Sequence, residues 1–225
     1  MRGQSIPWKA WVTGLVILGV ALGWWALYWR PNSSDYPVQG VDISAADGVI
    51  AWPTVEAAGA DFAYLKATEG ADISDPRFAE NWAATAAAGM RHGAYHQFSL
   101  CRLAADQATN FISIVPRDKD ALPAALALDF ARNCKDRPAR DVVLRELKTF
   151  IEMVEAHTGK PTILQLTREF DDYYMISDAI DRPLWLRGFL FPPSYGARAW
   201  VMWQASTIRR VAGIEGSVDW NVIHQ

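Results

Sequence analysis

The sequence has little of what nucleotide, zinc or nucleic-acid chemistry requires. Two cysteines in 225 residues form no Cys-x-x-Cys pair, so the usual zinc spacing is missing. No glycine-rich turn leads into a helix where phosphate could be cradled. Lys and Arg total 22 against 25 Asp and Glu, and the net charge of -3 comes without a basic stripe, which argues against a nucleic-acid partner. Internal repeats and low-complexity tracts are also absent. What is present is apolar: 51% of residues are hydrophobic, enough for one globular domain with a substantial core plus an extra segment. The 11 Trp and 7 Tyr are many for this length. Such rings fill cores or line grooves that stack on flat partners such as sugar rings, and core is the default for most of them.

The extra segment is AWVTGLVILGVALGWWALYW, 20 uncharged residues between Lys9 and Arg30. That length can span a bilayer. Trp8 and Trp11 at one end, with Trp24, Trp25, Tyr28 and Trp29 at the other, fit two interfacial aromatic belts. A cleaved signal peptide is the alternative, but it requires a shorter apolar run and small residues at the cleavage site, where this chain has bulky GWWALYW. Arg2, Lys9 and the amino terminus precede the span, whereas Arg30 alone follows it before Asp35 and Asp42, so a cytoplasmic N-terminus is expected. The expected organisation is a cytoplasmic segment at 1–9, a single-pass anchor in the inner (cytoplasmic) membrane at 10–29, a polar, proline-bounded linker at 30–37 and a domain at 38–225 in the periplasm or exterior. Cys101 and Cys134 each directly follow a candidate strand of that domain. An oxidising compartment favours one disulfide between them; two unrelated buried thiols are the alternative.

From Val38 onward, apolar runs alternate with Ala-rich helical patterns. VQGVDIS, FAYLKAT, HGAYHQF, ALALDF, TILQLT, LWLRGF and WVMWQAS are the strand candidates. Helical stretches fall near 53–59, 76–89, 104–115 and 140–157, two of them with Pro near the start and Gly after the end. The alternation implies an α/β fold with a parallel sheet, and about 190 residues suit a closed, TIM-like β/α barrel with few late helices. In such barrels active residues gather at the C-terminal strand ends. That rule selects Asp42, Lys66, Glu69, Tyr95, His96, Asp129 and Gln165, with Gln204 and Asp219 late in the chain. Each has a bland alternative: Lys66 and Glu69 could simply pair, and His96 could be a satisfied core histidine. Several carboxylates at an aromatic-rich mouth suit glycosidic chemistry, which needs one acid for the leaving oxygen and a second to assist attack or stabilise charge.

The series GVDIS, FAYLKATEG, DPRFAENW, AGMRHGAYHQF, DQATNF, LPAALALDF, LW, WQAS and GIEGSVDWN resembles glycoside hydrolase family 25, the Chalaropsis-type lysozymes or N-acetylmuramidases, in order over nearly all of 38–223. The resemblance implies a modified β/α barrel without metal or organic cofactor, acting on the β-1,4 bond between N-acetylmuramic acid and N-acetylglucosamine in peptidoglycan. It implies substrate-binding roles for Lys66, Glu69, Tyr95, His96, Gln165, Trp203 and Gln204. A cysteine after GAYH and another after the acidic strand resemble the Gram-negative branch of the family, which implies that Cys101 and Cys134 are paired.

In that family the fourth strand ends in Asp-x-Glu, preceded by Leu-Pro, and the Glu is the general acid. Counting from Leu122-Pro123 and back from Cys134 puts the family Asp on Ala127 and the Glu on Asp129. A shifted register would put the Asp on Asp129 and the Glu on Ala131; either way one member is alanine. Gln165 stands where the family has tyrosine, and Ala205 replaces the aromatic residue of WQY, both expected in the cleft. Asp42 and Asp219 are retained. A misplaced reacting group costs on the order of 100-fold per ångström, and loss of a neighbouring carboxylate removes a candidate nucleophile or charge stabiliser. Two functions follow. One is a glycan-holding domain with reduced or lost catalysis, with room for an envelope protein partner of unspecified identity. The other is an active muramidase using Asp129, Asp42 and Asp219.

Overall fold

The computed structural model describes residues 8–130 and 134–224. Arg2 and Ala131 lie outside the described residues. Helix α1 (Trp8–Tyr28) is 21 residues long and buries none of them. It is long and apolar enough to cross a membrane.

Eight strands close into a barrel. Starting from β1 (Gln39–Ile43), the circuit runs through β2 (Phe62–Glu69), β4 (Arg91–Gln97), β5 (Ala125–Leu128), β6 (Ile163–Leu166), β7 (Leu184–Arg187), β8 (Met202–Arg209) and β9 (Val218–Ile223) back to β1. The short β3 (Ile73–Ser74) is a hairpin on β2. All barrel pairings are parallel except those of β9, which is antiparallel to both β1 and β8. The antiparallel β9 is where this modified β/α barrel departs from a purely parallel one. Residues 210–217 are too few for the crossover of a dozen or more residues that a parallel return needs, so the chain turns back as a hairpin.

Helices α2 (Trp52–Ala57), α3 (Phe78–Ala87), α4 (Ala104–Ile114) and α5 (Arg140–Thr158) coat the first half of the barrel, followed by the short α6 (Arg168–Tyr174) and α7 (Ile176–Ala179). Helix α5 shows why they dock: Val143, Leu147, Phe150, Ile151 and Val154 repeat at helical spacing and are its buried residues. Burying five such side chains contributes roughly 10 kcal/mol before the opposing entropy of ordering. Gly159 then takes the left-handed conformation, φ 71°, and ends the helix. Inside the barrel a second layer, Phe62, Tyr64, Ala125, Ile163, Trp185 and Met202, closes the lumen below the mouth. Gly93 makes room for it, since a Cβ there would lie 2.8 Å from the Tyr64 ring. The Tyr64 hydroxyl donates to the carbonyl of Pro123 at 3.0 Å, tying the Leu-Pro turn to this layer.

No helix is found between β7 and β9 among the described residues. The outer wall there is covered by the chain leaving α1. Trp29 lies 6.3 Å and Tyr36 5.7 Å from the Trp203 ring, and Tyr36 stacks on Trp200 at 6.2 Å. Arg210 donates its amide to the Leu27 carbonyl at 2.7 Å, and Gln39 donates to the carbonyls of Pro31 and Tyr36. The segment that reads as a polar linker touches the barrel through Pro31 and Tyr36, while residues 32–35 are exposed.

Candidate active site

The acids at the first and last strands are direct cross-strand partners: Asp42 on β1 pairs with Asp219 on β9. Asp42 is 7% exposed and accepts hydrogen bonds from Asn221 Nδ2 at 2.6 Å and Gln204 Nε2 at 3.2 Å. Asn221 is oriented in turn by Trp185, whose indole N–H donates to its Oδ1 at 2.9 Å. Burial raises the pKa of Asp42. Burial, and then the charge of Asp42, pushes Asp219 up to about 8. The two amide donors partly offset the effect of burial on Asp42, and Asp219, at about 8, holds its proton at neutral pH.

On β2 a bulge between Lys66 and Thr68 changes which side chains face the mouth. Lys66 and Glu69 consequently share a face and form an ion pair at 2.5 Å, each 22% exposed. Tyr95, register partner of Lys66, joins the lumen layer. Its phenol is held protonated, with its pKa well above 10, first by burial and then by Asp42 and Asp219.

His96 corrects the sequence expectation. It is fully buried and points out of the barrel wall toward α4 and α5, where it stacks on Phe150 at 4.8 Å. Its Nδ1 lies 2.7 Å from the Thr68 hydroxyl and its Nε2 3.2 Å from Gln107 Oε1. Gln107 Oε1 can only accept, so the ring carries its proton on Nε2 and accepts from Thr68. Successive strand residues face opposite sides, so Tyr95 and His96 could not both line the cleft. Trp203 is corrected on the same ground: it sits on the outer wall with Trp29, Tyr36 and Trp200, and its neighbour Gln204 faces in. Ala205 is fully buried in the main core rather than in the cleft.

Ala125 lies in the lumen layer, so Ala127, two residues on, points the same way. Ala127 stands between Gln97 of β4 and Gln165 of β6, its register partners. Gln165 is 3% exposed and its Nε2 has no acceptor among the described residues. Asp129 follows directly after β5. Its Oδ1 accepts from Gln97 Nε2 at 3.1 Å, and its Oδ2 faces Arg187 of β7 at 3.6 Å. Arg187 also bears electrostatically on Asp42, Asp219 and Tyr95. Its backbone N–H donates to the Tyr195 hydroxyl at 2.8 Å, which donates to the Leu166 carbonyl at 2.6 Å. Cys101 and Cys134, joined by a disulfide with Cα atoms 5.5 Å apart, tie the loop after β4 to the segment after Asp129.

Sequence reasoning passed over Gln97, Trp185, Arg187 and Asn221. Each was within reach of parity counting: Gln97 lies two residues past Tyr95 and Arg187 two past Trp185.

The arrangement places a cross-strand carboxyl pair, of which Asp219 is protonated at neutral pH, on the β1–β9 wall and a third carboxyl group after β5. Strands β9 and β5 are four apart in either direction around the circuit, so Asp219 and Asp129 stand on opposite walls. A barrel with acids on facing walls of its C-terminal mouth has the layout of a glycoside hydrolase. Residues 41–214 match Glycosyl hydrolases family 25, and the chain belongs to that family. It is 32% identical over 199 residues to Lysozyme M1 of Streptomyces globisporus, spanning 82% of this chain and 67% of that protein. Among solved structures, a family 25 glycosyl hydrolase from Bacillus anthracis superposes with a TM-score of 0.82 at 37% identity, covering 88% of this chain and 93% of that one. A bacterial lysozyme from Streptomyces coelicolor superposes with a TM-score of 0.78 at 29% identity, covering 84% and 92% respectively.

Proposed function

We propose that this chain is a membrane-anchored family 25 domain that holds the glycan strand of peptidoglycan in the barrel mouth, with hydrolysis reduced or lost. One observation carries the reading: the β5 wall presents a single carboxylate, Asp129, with the methyl of Ala127 where the family's acid pair requires another acid. Glycosidic cleavage in this geometry depends on the number and spacing of carboxylates. The remaining polar lining of Lys66, Glu69, Tyr95, Gln165 and Gln204 can still hydrogen-bond a sugar. Helix α1 supports attachment to the inner membrane, with the barrel in the periplasm or exterior.

The test is co-sedimentation of the full-length, detergent-solubilised protein with purified peptidoglycan. Tyr95→Ala and Gln204→Ala should each weaken retention about tenfold. Equal retention on cellulose, or no loss in either variant, contradicts the reading. For topology, protease added to spheroplasts should digest the barrel, and full protection contradicts the orientation.

The active alternative keeps one specific support. The proton held by Asp219 lies across the mouth from the Asp129 carboxyl, so two carboxyl groups still face each other over the cleft.

A further inference from the structure

Strand β8 joins the barrel to the end of α1. Arg209 donates to the Tyr28 carbonyl, and the Arg210 amide donates to the Leu27 carbonyl at 2.7 Å. Val218, the register partner of Arg209, is the chain neighbour of Asp219, so the helix ends at the height of the cleft acids. Residues 8–25 of the helix are all exposed, and it projects clear of the barrel. The loop between β7 and β8 lies at the same corner. The carbonyl of Gly188 accepts from the Trp203 indole, whose ring packs against Trp29, and Trp29 lies 6.2 Å from Trp25 of α1. This loop carries Phe189 and Phe191, 51% and 75% exposed. We infer that Phe189 and Phe191 form a second membrane contact, seated in the headgroup boundary of the bilayer beside α1, which holds the cleft close to the membrane surface. The inference rests on the reading of α1 as a membrane anchor and adds to it the corner of the barrel that the bilayer meets.

The loop is fixed in a shape that keeps both rings out. Leu190, between them, has φ 63°, and its amide donates to the Ala205 carbonyl at 3.0 Å. A side-chain-bearing residue holds such a conformation only where its surroundings enforce it. Gly188 permits the turn, since a Cβ there would lie 2.6 Å from the Phe191 carbonyl oxygen. Pro192 and Pro193 stiffen the return. Two large apolar rings held in water forgo the burial that a bilayer boundary supplies. The charges at this corner agree with that occupant. No Asp or Glu occurs between Asp181 and Glu215, and Arg30 and Arg210 are exposed at the helix end, which suits anionic headgroups.

Leu103 provides the comparison. It is 65% exposed and also stands at the mouth, but it follows β4, four strands from β8 in either direction around the circuit. It therefore lies on the wall opposite α1.

The experiment uses the full-length protein reconstituted into vesicles of phosphatidylethanolamine and phosphatidylglycerol, with and without a nitroxide-bearing lipid, and a fluorophore attached at Phe191→Cys or at Leu103→Cys. The nitroxide should quench the label at 191 about threefold or more and the label at 103 less than about 1.5-fold. Adding Phe189→Asp, which sets a charge in the boundary, should remove about half or more of the quenching at 191. Equal quenching at the two sites, or no effect of Phe189→Asp, overturns the inference. Resistance of the unlabelled protein to alkaline extraction is measured in parallel. Release from the vesicles counts against α1 as an anchor and overturns the inference with it, whereas resistant protein with an unquenched 191 label counts against the loop alone. An unquenched label together with lost peptidoglycan retention in Phe189→Ala with Phe191→Ala assigns the rings to the glycan and also overturns the inference.

Discussion

Asp42 and Asp219 face each other across the β1–β9 ladder as direct register partners, and Asp219 keeps a proton at neutral pH. Like charges directly opposite on a sheet are unfavourable, and burial makes them more so. The barrel tolerates the pair because Asn221 and Gln204 stabilise the charge on Asp42 while Asp219 stays protonated.

That pairing makes stability depend on pH with a definite sign. Asp219 keeps its proton in the folded state up to about pH 8 but loses it near 3.8 when unfolded. Between those values the folded state binds more protons, so stability falls as pH rises. Thermal melts from pH 6.5 to 8 should show this decline in the unmodified protein and a flatter profile in Asp219→Asn. An unchanged slope in the variant would contradict a raised pKa for Asp219.

His96 works in the opposite direction. Burial pushes its pKa down to about 4 from 6.5, so the unfolded state gains a proton first and this contribution to stability is lost as pH falls from 6.5 towards 4. Replacing His96 with Ala leaves a hole against Phe150 and strips partners from Thr68 and Gln107. Urea denaturation should report a loss of about 2–4 kcal/mol. Retention on peptidoglycan should be unchanged at a temperature where the variant is folded, since His96 lies behind the wall. Selective loss of binding would place it in the site.

The chain leaving α1 acts as a missing piece of the barrel coat. Trp29→Ala and Tyr36→Ala should each cost about 1–2 kcal/mol, because each ring is half-buried against Trp203 and its neighbours. Limited proteolysis should then cut within residues 30–37 of the variants well before the unmodified protein. Equal resistance would mean that the segment is only a tether.

Much of this was legible in the sequence, for physical reasons that also explain the gaps. The parallel strands are buried on both faces, so FAYLKAT, ALALDF and TILQLT stand out as apolar runs. Strand β9 does not: VDWNVI carries Asp219 and Asn221 on its lumen side and lacks the continuous apolar run that marked the strand candidates. Helix α6 is seven residues long and acidic, too short to show a periodicity. Among site residues, carboxylates at strand ends were found by position. Which neighbour of a pair faces the lumen was missed for His96 and Trp203, because motif matching ignores the alternation of strand side chains. Lys66 and Glu69, three apart, share a face only through a bulge that nothing in KATEG announces. Arg187 escaped because its meaning depends on Asp129, 58 positions away in sequence and two strands away in space.

The most direct test of the central claim is the rate at which the full-length protein releases reducing ends from purified peptidoglycan, measured beside Asp129→Asn. The account predicts a rate on the order of 100-fold or more below that of an intact family 25 lysozyme, and within about twofold of the Asp129→Asn variant. Turnover comparable to the intact lysozyme, abolished by Asp129→Asn, would show that Asp129 is a working acid and contradict the account.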